Sequence, residues 1–310
     1  MKRSLLIIVA AMMVSGAFAQ GTVKKVRVYE GEKVVFERYY SHVDSIVFVD
    51  LPDGTLNGSF SVSDTKKVHF AQGNLQATFN GTDWSWDFAP NQWTFIGDKA
   101  ANNTITGNGT ASTYGTVDLF CWSSNKTYYG IHNESTNYYY KGAFKDWGET
   151  IGEGWFTLSK TEWQYLFLDR ENANELFGFG TVNGVNGTFI LPDDWTLPAG
   201  LTFNSAKAKG IVWDEDKYYY NADNNNYTHN TYTAEQWSVM EEAGSVFLPA
   251  AGNRYTTNVN WPGSDGYYWS STLKNENNAY FLYFASHDLN PASDFSLYSA
   301  KSVRLVKEVK

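Results

Sequence analysis

At 310 residues the chain can hold one large domain or two ordinary ones, and 43% hydrophobic residues suffice for a real core. A net charge of −9 with no basic run argues against nucleic acid and anionic membrane as partners, because nothing is arranged to neutralise phosphates. The one cysteine, Cys121, excludes an intrachain disulfide.

Residues 1–19 read as a secretory signal peptide. Lys2 and Arg3 form the charged start, Leu5 to Val14 the apolar run, and Ala17-Phe18-Ala19 the small-x-small cleavage site before Gln20. No later apolar run has membrane length, so no transmembrane segment is expected. An exported protein follows, periplasmic, cell-surface or extracellular. No cysteine stands directly after the apolar run, so lipoprotein processing is not expected.

Residues 20–54 read as a small N-terminal β segment and linker. Val26, Val28, Val34 and Phe36 alternate around Glu30-Gly31-Glu32, the pattern of a hairpin. HVDSIVFVD reads as a third strand, and Leu51-Pro52-Asp53-Gly54 as the linker. Residues 55–310 are the main domain.

In that domain Val68-His69-Phe70 and Leu75 to Phe79 read as strands. Trp84, Trp86 and Phe88, then Trp93 and Phe95, repeat at the strand period of two. Lys99 to Thr116 reads as a long loop. Asp118 to Trp122 is an apolar island, and Asn125 to Lys145 is polar, Tyr-rich and unassigned. Ser159-Lys160-Thr161-Glu162 and Thr233-Ala234-Glu235-Gln236 are capping boxes that start two helices, anchored by Trp163 and Trp237. Gly244 stops the second helix. Between the helices, Ile211 to Asn230 reads as a solvated loop. The last sixty residues hold short aromatic or β-branched strands bounded by turn residues.

The order FLPAAGNR, YYWSST, AYFLYF and SVRLVK, with VHFAQGNLQ, FAPNQWTFIG, TLSKTEWQYLF and FILPDDW upstream, resembles the paralogous domain family named after Fibrobacter succinogenes, abundant in gut Bacteroides-type bacteria. The resemblance runs from about Gly58 to Lys307. It implies an α+β, C-type-lectin-like domain: a small twisted antiparallel sheet flanked by two helices with long loops, here preceded by a short β-hairpin leader. It also implies kinship with formylglycine-generating enzymes and with the variable proteins of diversity-generating retroelements. That superfold hosts sugar binders, protein binders, pilus-tip adhesins and an oxidase, so function must be argued from the site.

Catalysis is not expected. The formylglycine-generating chemistry uses paired cysteines, and Cys121 stands alone beside Phe120 and Trp122, where a free thiol is usually a core residue. Its spacing to His132 is weak support for a Cys–His pair. Asp193 with Asp194, or Asp146 with Glu149, could be imagined as acid–base partners, but nothing sets the separation that glycosidases need. His42, His69, His132, His229 and His287 lack zinc-ligand spacing. Asp214-x-Asp216 and Asn221-x-Asp223-x-Asn225 lack the Gly and terminal Glu of a calcium loop. The Glu-Pro-Asn and Trp-Asn-Asp motifs of calcium-dependent lectins do not occur. No cofactor is expected; calcium stays open only as a structural ion.

Binding remains. The polar, Asn-rich stretches Trp261–Asp265, Asn275–Asn278 and Ser286–Tyr298 leave or enter strands of one small sheet, so a rigid scaffold would present them together. The candidate ligand-binding residues are Trp261, Asp265, Asn275, Asn277, Asn278, Phe281, Tyr283, His287, Asp288, Asn290, Asp294 and Tyr298. The expected function is that of an adhesin-like protein whose ligand is a glycan or a protein. The rivals are a structural, pilus or envelope assembly subunit that assembles through the N-terminal hairpin, and an enzyme of formylglycine-generating ancestry.

Overall fold

The computed structural model describes residues 25–30, 33–39, 54–97, 105–106, 110–111, 115–127, 129–131, 136–214, 218–220, 225–256 and 258–310. The expected signal peptide, the strand HVDSIVFVD, and His42 and His132 lie outside the described residues. The chain divides into two compact units, Met1–Asp50 and Leu51–Lys310. In the first, Lys25–Glu30 pairs antiparallel with Lys33–Tyr39, and Val28 lies opposite Phe36. This is the expected hairpin.

The second unit is α+β: mostly small antiparallel sheets with two short helices among the described residues. Its chain ends meet. Leu305–Glu308 lies between Trp155–Thr157 and Lys67–Phe70, with Val306 opposite Phe70 and Lys307 opposite His69. The alternation of Lys67–Phe70 puts Val68 and Phe70 in the core, as a period of two requires. Buried Arg304 ties this junction together. Its Nε donates to Asn74 Oδ1 at 3.1 Å, Nη1 to Ala71 O at 3.0 Å and Nη2 to Phe247 O at 2.8 Å.

Both capping boxes form. In α1 (Lys160–Gln164) Ser159 Oγ accepts from Glu162 N at 3.3 Å, and Glu162 Oε2 accepts from Ser159 N at 2.7 Å. A π-helical turn, Tyr165–Asp169, continues it. In α2 (Ala234–Glu242) Thr233 and Gln236 make the same exchange, and Gly244 ends the helix at φ +99°. Trp163 and Trp237 are fully buried, in different apolar clusters.

A five-stranded sheet runs in the order Val212–Asp214, Tyr218–Tyr220, Asp288–Ser296, Asn278–Phe284, Gly266–Leu273. Both faces of Asn278–Phe284 are covered. Leu282 and Phe284 pack with Phe70, Trp163 and Tyr268 on one side. Phe281 packs with Trp122, Trp147 and Trp269 on the other.

Three expectations are corrected here. Ile211 to Asn230 is not simply a solvated loop: Val212–Asp214 and Tyr218–Tyr220 form a hairpin on the edge of the five-stranded sheet, and Asn226, Tyr227 and Asn230 are buried. Backbone pairing with Asp288–Ser296 outweighs the polar composition. Trp93 and Phe95 are not in a strand, because the chain bends after Pro90; buried Gln92 is held there by Phe247 N at 2.7 Å and Ser245 O at 3.2 Å. Ser286–Tyr298 is not a loop, since Asp288–Ser296 is a nine-residue strand with neighbours on both sides.

Candidate functional site

A cavity of about 440 Å³ opens on the Phe281 side of the five-stranded sheet. Tyr267, Phe281 and Tyr283 come from two neighbouring strands, Ser293, Asp294 and Phe295 from a third. Asn253, Tyr255, Asn260 and Trp261 close the opposite wall, and Lys301 completes the lining.

Strand alternation explains the sheet wall. Tyr267 lies opposite Tyr283, so both rings project to the same face, with centres 5.1 Å apart. Phe281 sits two residues before Tyr283 and shares that face. The next strand cannot keep step. Phe281 lies opposite Ser293, but Tyr283 lies opposite Asn290, so the longer strand bulges. Pro291, with no N–H to give to a ladder, falls in that bulge, and Asn290 Oδ1 takes Ala292 N at 2.9 Å. Beyond the bulge, Ser293 and Asp294 form part of the wall.

The opposite wall is a hairpin, Asn253–Tyr255 with Asn258–Asn260, closed onto Ser299–Ala300. Gly252 starts it at φ +74°; a Cβ there would lie 2.4 Å from Asn260 O, so only glycine allows the approach. Trp261 follows in the left-handed region at φ +52° and is 58% exposed. Phe295 at 46% and Tyr255 at 38% exposure join it at the mouth, while Phe281 at 3% lies at the buried end.

Polar groups hold the rings. Asp265 accepts from Ser264 Oγ at 2.7 Å, Tyr267 Oη at 3.1 Å and Tyr283 Oη at 3.3 Å. Burial and the Asp265 charge push the Tyr267 hydroxyl pKa well up, so it stays a donor. The Tyr255 and Tyr298 hydroxyls share a hydrogen bond. Asp294 takes Lys274 Nζ at 2.7 Å and Asn278 Nδ2 at 3.0 Å.

The sequence-derived candidates therefore separate. Trp261, Phe281, Tyr283 and Asp294 line one cavity; Asp265, Asn278 and Tyr298 fix its lining. Asn275 and Asn277 do not join them. They form the turn before Asn278–Phe284, where Asn275 Oδ1 accepts from Asn277 N at 2.8 Å and Asn278 N at 3.0 Å. His287 and Asp288 sit at the other end of the same strand, since Phe284 lies opposite Leu289 and Asn278 opposite Ser296. A strand of seven residues separates those two turns by about 20 Å, at about 3.3 Å per residue. One ligand-binding loop cluster containing both is thus corrected. Asp288 is buried, and burial raises its carboxyl pKa. Asn290 is a bulge former.

Sequence reasoning missed Lys301, Asn253, Tyr255, Asn260 and Tyr267, while Ser293 and Phe295 lie within the expected stretch Ser286–Tyr298. No local pattern marks Lys301, which stands among Ser299, Ser302 and Arg304. Its backbone is fixed by paired hydrogen bonds with Phe120, both at 2.9 Å. Its side chain is 1% exposed, and burial pulls its pKa down to about 7.

The carboxylates weighed as catalytic have structural partners. Asp193 takes Ser61 Oγ at 2.6 Å, Lys67 Nζ at 2.9 Å and Arg170 Nη1 at 3.3 Å. Asp146 caps a 3-10 turn through Gly148 N at 2.9 Å and takes Thr157 Oγ1 at 2.9 Å. Cys121 is buried, its Sγ donating to Tyr298 O at 3.2 Å. Among the described residues no three His, Cys, Asp or Glu side chains converge as a metal site, and no helix is long and apolar enough to cross a membrane.

Comparison with protein-family models, with curated proteins and with solved structures gave no match.

Proposed function

We propose that the chain is an exported, adhesin-like binding protein of C-type-lectin-like architecture, and that its ligand is a glycan held in the cavity beside Phe281. The resemblance carried by FLPAAGNR and SVRLVK supports the architecture, and residues 1–19 support export. One observation carries the ligand reading: exposed rings at the mouth, Trp261, Phe295 and Tyr255, stand beside Asn253, Asn260, Ser293 and Asp294 in a single cavity. Rings offer apolar faces to the C–H side of a sugar, and amide and carboxylate groups orient its hydroxyls. At about 440 Å³ the space suits one or two sugar rings. No cofactor enters the reading, and no catalytic step.

The test is a screen of the chain from Gln20 onward against glycan and peptide arrays, with calcium and with chelator. Glycan binding insensitive to chelation is expected. Capture of peptides alone would overturn the glycan assignment, and capture of nothing would overturn the binding function.

A further inference from the structure

Two residues that line the cavity, Lys301 and Asn253, carry buried polar groups with hydrogen-bonding capacity to spare. Lys301 Nζ donates to Ser299 O at 3.0 Å. It faces the rings of Trp269, Phe281 and Phe295, 4.0, 4.5 and 5.8 Å from their centres. An ammonium has three donors, so this contact leaves two. Among the described residues it forms no ion pair with a carboxylate. Asn253 Oδ1 is the second group. It is buried, and it accepts no hydrogen bond from any described residue.

The charges around the cavity leave room for an anion. Asp294, in the wall, is neutralised by Lys274 at 2.7 Å. Asp265 is hydrogen-bonded by Tyr267 and Tyr283. Arg254 lies buried behind the wall, its Nη2 3.8 Å from Cys121 Sγ. Tyr255 and Tyr298 bond each other.

Resting on the glycan reading, we infer that the cavity selects sugars that carry a carboxylate, with the acid group on Lys301 Nζ, a ring hydroxyl donating to Asn253 Oδ1, and the pyranose C–H face on the rings. A neutral sugar would leave Lys301 without an anion. An acidic one supplies the charge that a buried cation lacks.

This selection has a pH signature. Burial holds the free amine near a pKa of about 7, so roughly half of it is charged at neutral pH. A bound carboxylate favours the ammonium and raises that pKa. Binding then takes up a proton, and affinity for the acid falls as pH rises above about 7, towards about tenfold per unit. Affinity for a neutral sugar should not follow.

The experiment is calorimetric titration with trigalacturonate against galactotriose of the same linkage, at about pH 6 and about pH 8.5. A second arm uses sialyllactose against lactose, to distinguish uronic from nonulosonic acids as the source of the carboxylate. The expected result is a preference of about tenfold or more for the acidic member of one pair at about pH 6, shrinking by about pH 8.5. Lys301→Met should bring the acid-to-neutral ratio close to one and remove the pH slope. Equal affinity for acid and neutral sugars, or a preference that stays flat with pH, would overturn the carboxylate assignment and leave the glycan reading standing. Binding of none of these probes, with other glycans bound on the array, would do the same. Binding of no glycan at all would remove both. If Lys301→Met does not fold, the wild-type pH comparison alone decides.

Discussion

Lys301 Nζ lies 4.0 Å from the centre of the Trp269 ring, inside the protein. A ring face stabilises a desolvated cation by about 2 kcal/mol. Losing water costs the cation more, so the amine's pKa falls from 10.5 to about 7. Between those values the unfolded chain holds the proton and the folded chain gives it up. Stability from this group therefore rises with pH across that window. Urea unfolding at about pH 7 and about pH 9 should show wild type gaining on Lys301→Met by on the order of 1 kcal/mol per pH unit. A constant difference would place the amine in water.

Trp261 separates folding from binding. A non-glycine residue in the left-handed region costs about 1 kcal/mol, and Trp261 at φ +52° bears that cost with its ring exposed. Trp261→Gly should keep or raise the melting temperature while glycan affinity drops by about 2 kcal/mol, roughly thirtyfold. A fall of several degrees in the thermal scan would make the ring structural instead.

Asn275 is expected to behave oppositely. Its Oδ1 serves two backbone N–H groups in the turn before Asn278–Phe284. Asn275→Ala should lower stability by about 1 kcal/mol and leave affinity unchanged. Loss of binding at full stability would return this turn to the ligand surface.

Arg304 joins the two ends of the second unit through Asn74, Ala71 and Phe247. Arg304→Met removes three donors and leaves their acceptors buried. Guanidinium unfolding should show a loss of about 3 kcal/mol or more. A loss below about 1 kcal/mol would mean the junction repacks.

Much of this fold is legible in the sequence where local chemistry decides it. The capping boxes at Ser159 and Thr233 form because hydroxyl and carboxyl or amide groups three residues apart satisfy orphan N–H groups without tertiary help. The strand Lys67–Phe70 shows its period of two. Asp288–Ser296 is illegible for the opposite reason. DLNPASDFS reads as a turn-rich polar segment, and only neighbours on both sides, with a bulge at Pro291, make it a strand. The site was half legible for the same reason. Phe281 and Tyr283 come from a strand whose period shows, and Trp261 and Asp294 stand out as a ring and a carboxylate in turn-like stretches. Asn253 and Lys301 enter through a hairpin and a bridge to Phe120 that no local pattern announces.

The most direct test of the binding site is a glycan array probed in parallel with wild type and a Trp261→Gly, Phe295→Ala double variant of matching melting temperature. Both substitutions remove exposed rings from the cavity mouth and leave the core alone. Every glycan spot bound by wild type should fade to background with the variant. Undiminished binding by a folded variant would contradict this and place the site away from the Phe281 cavity.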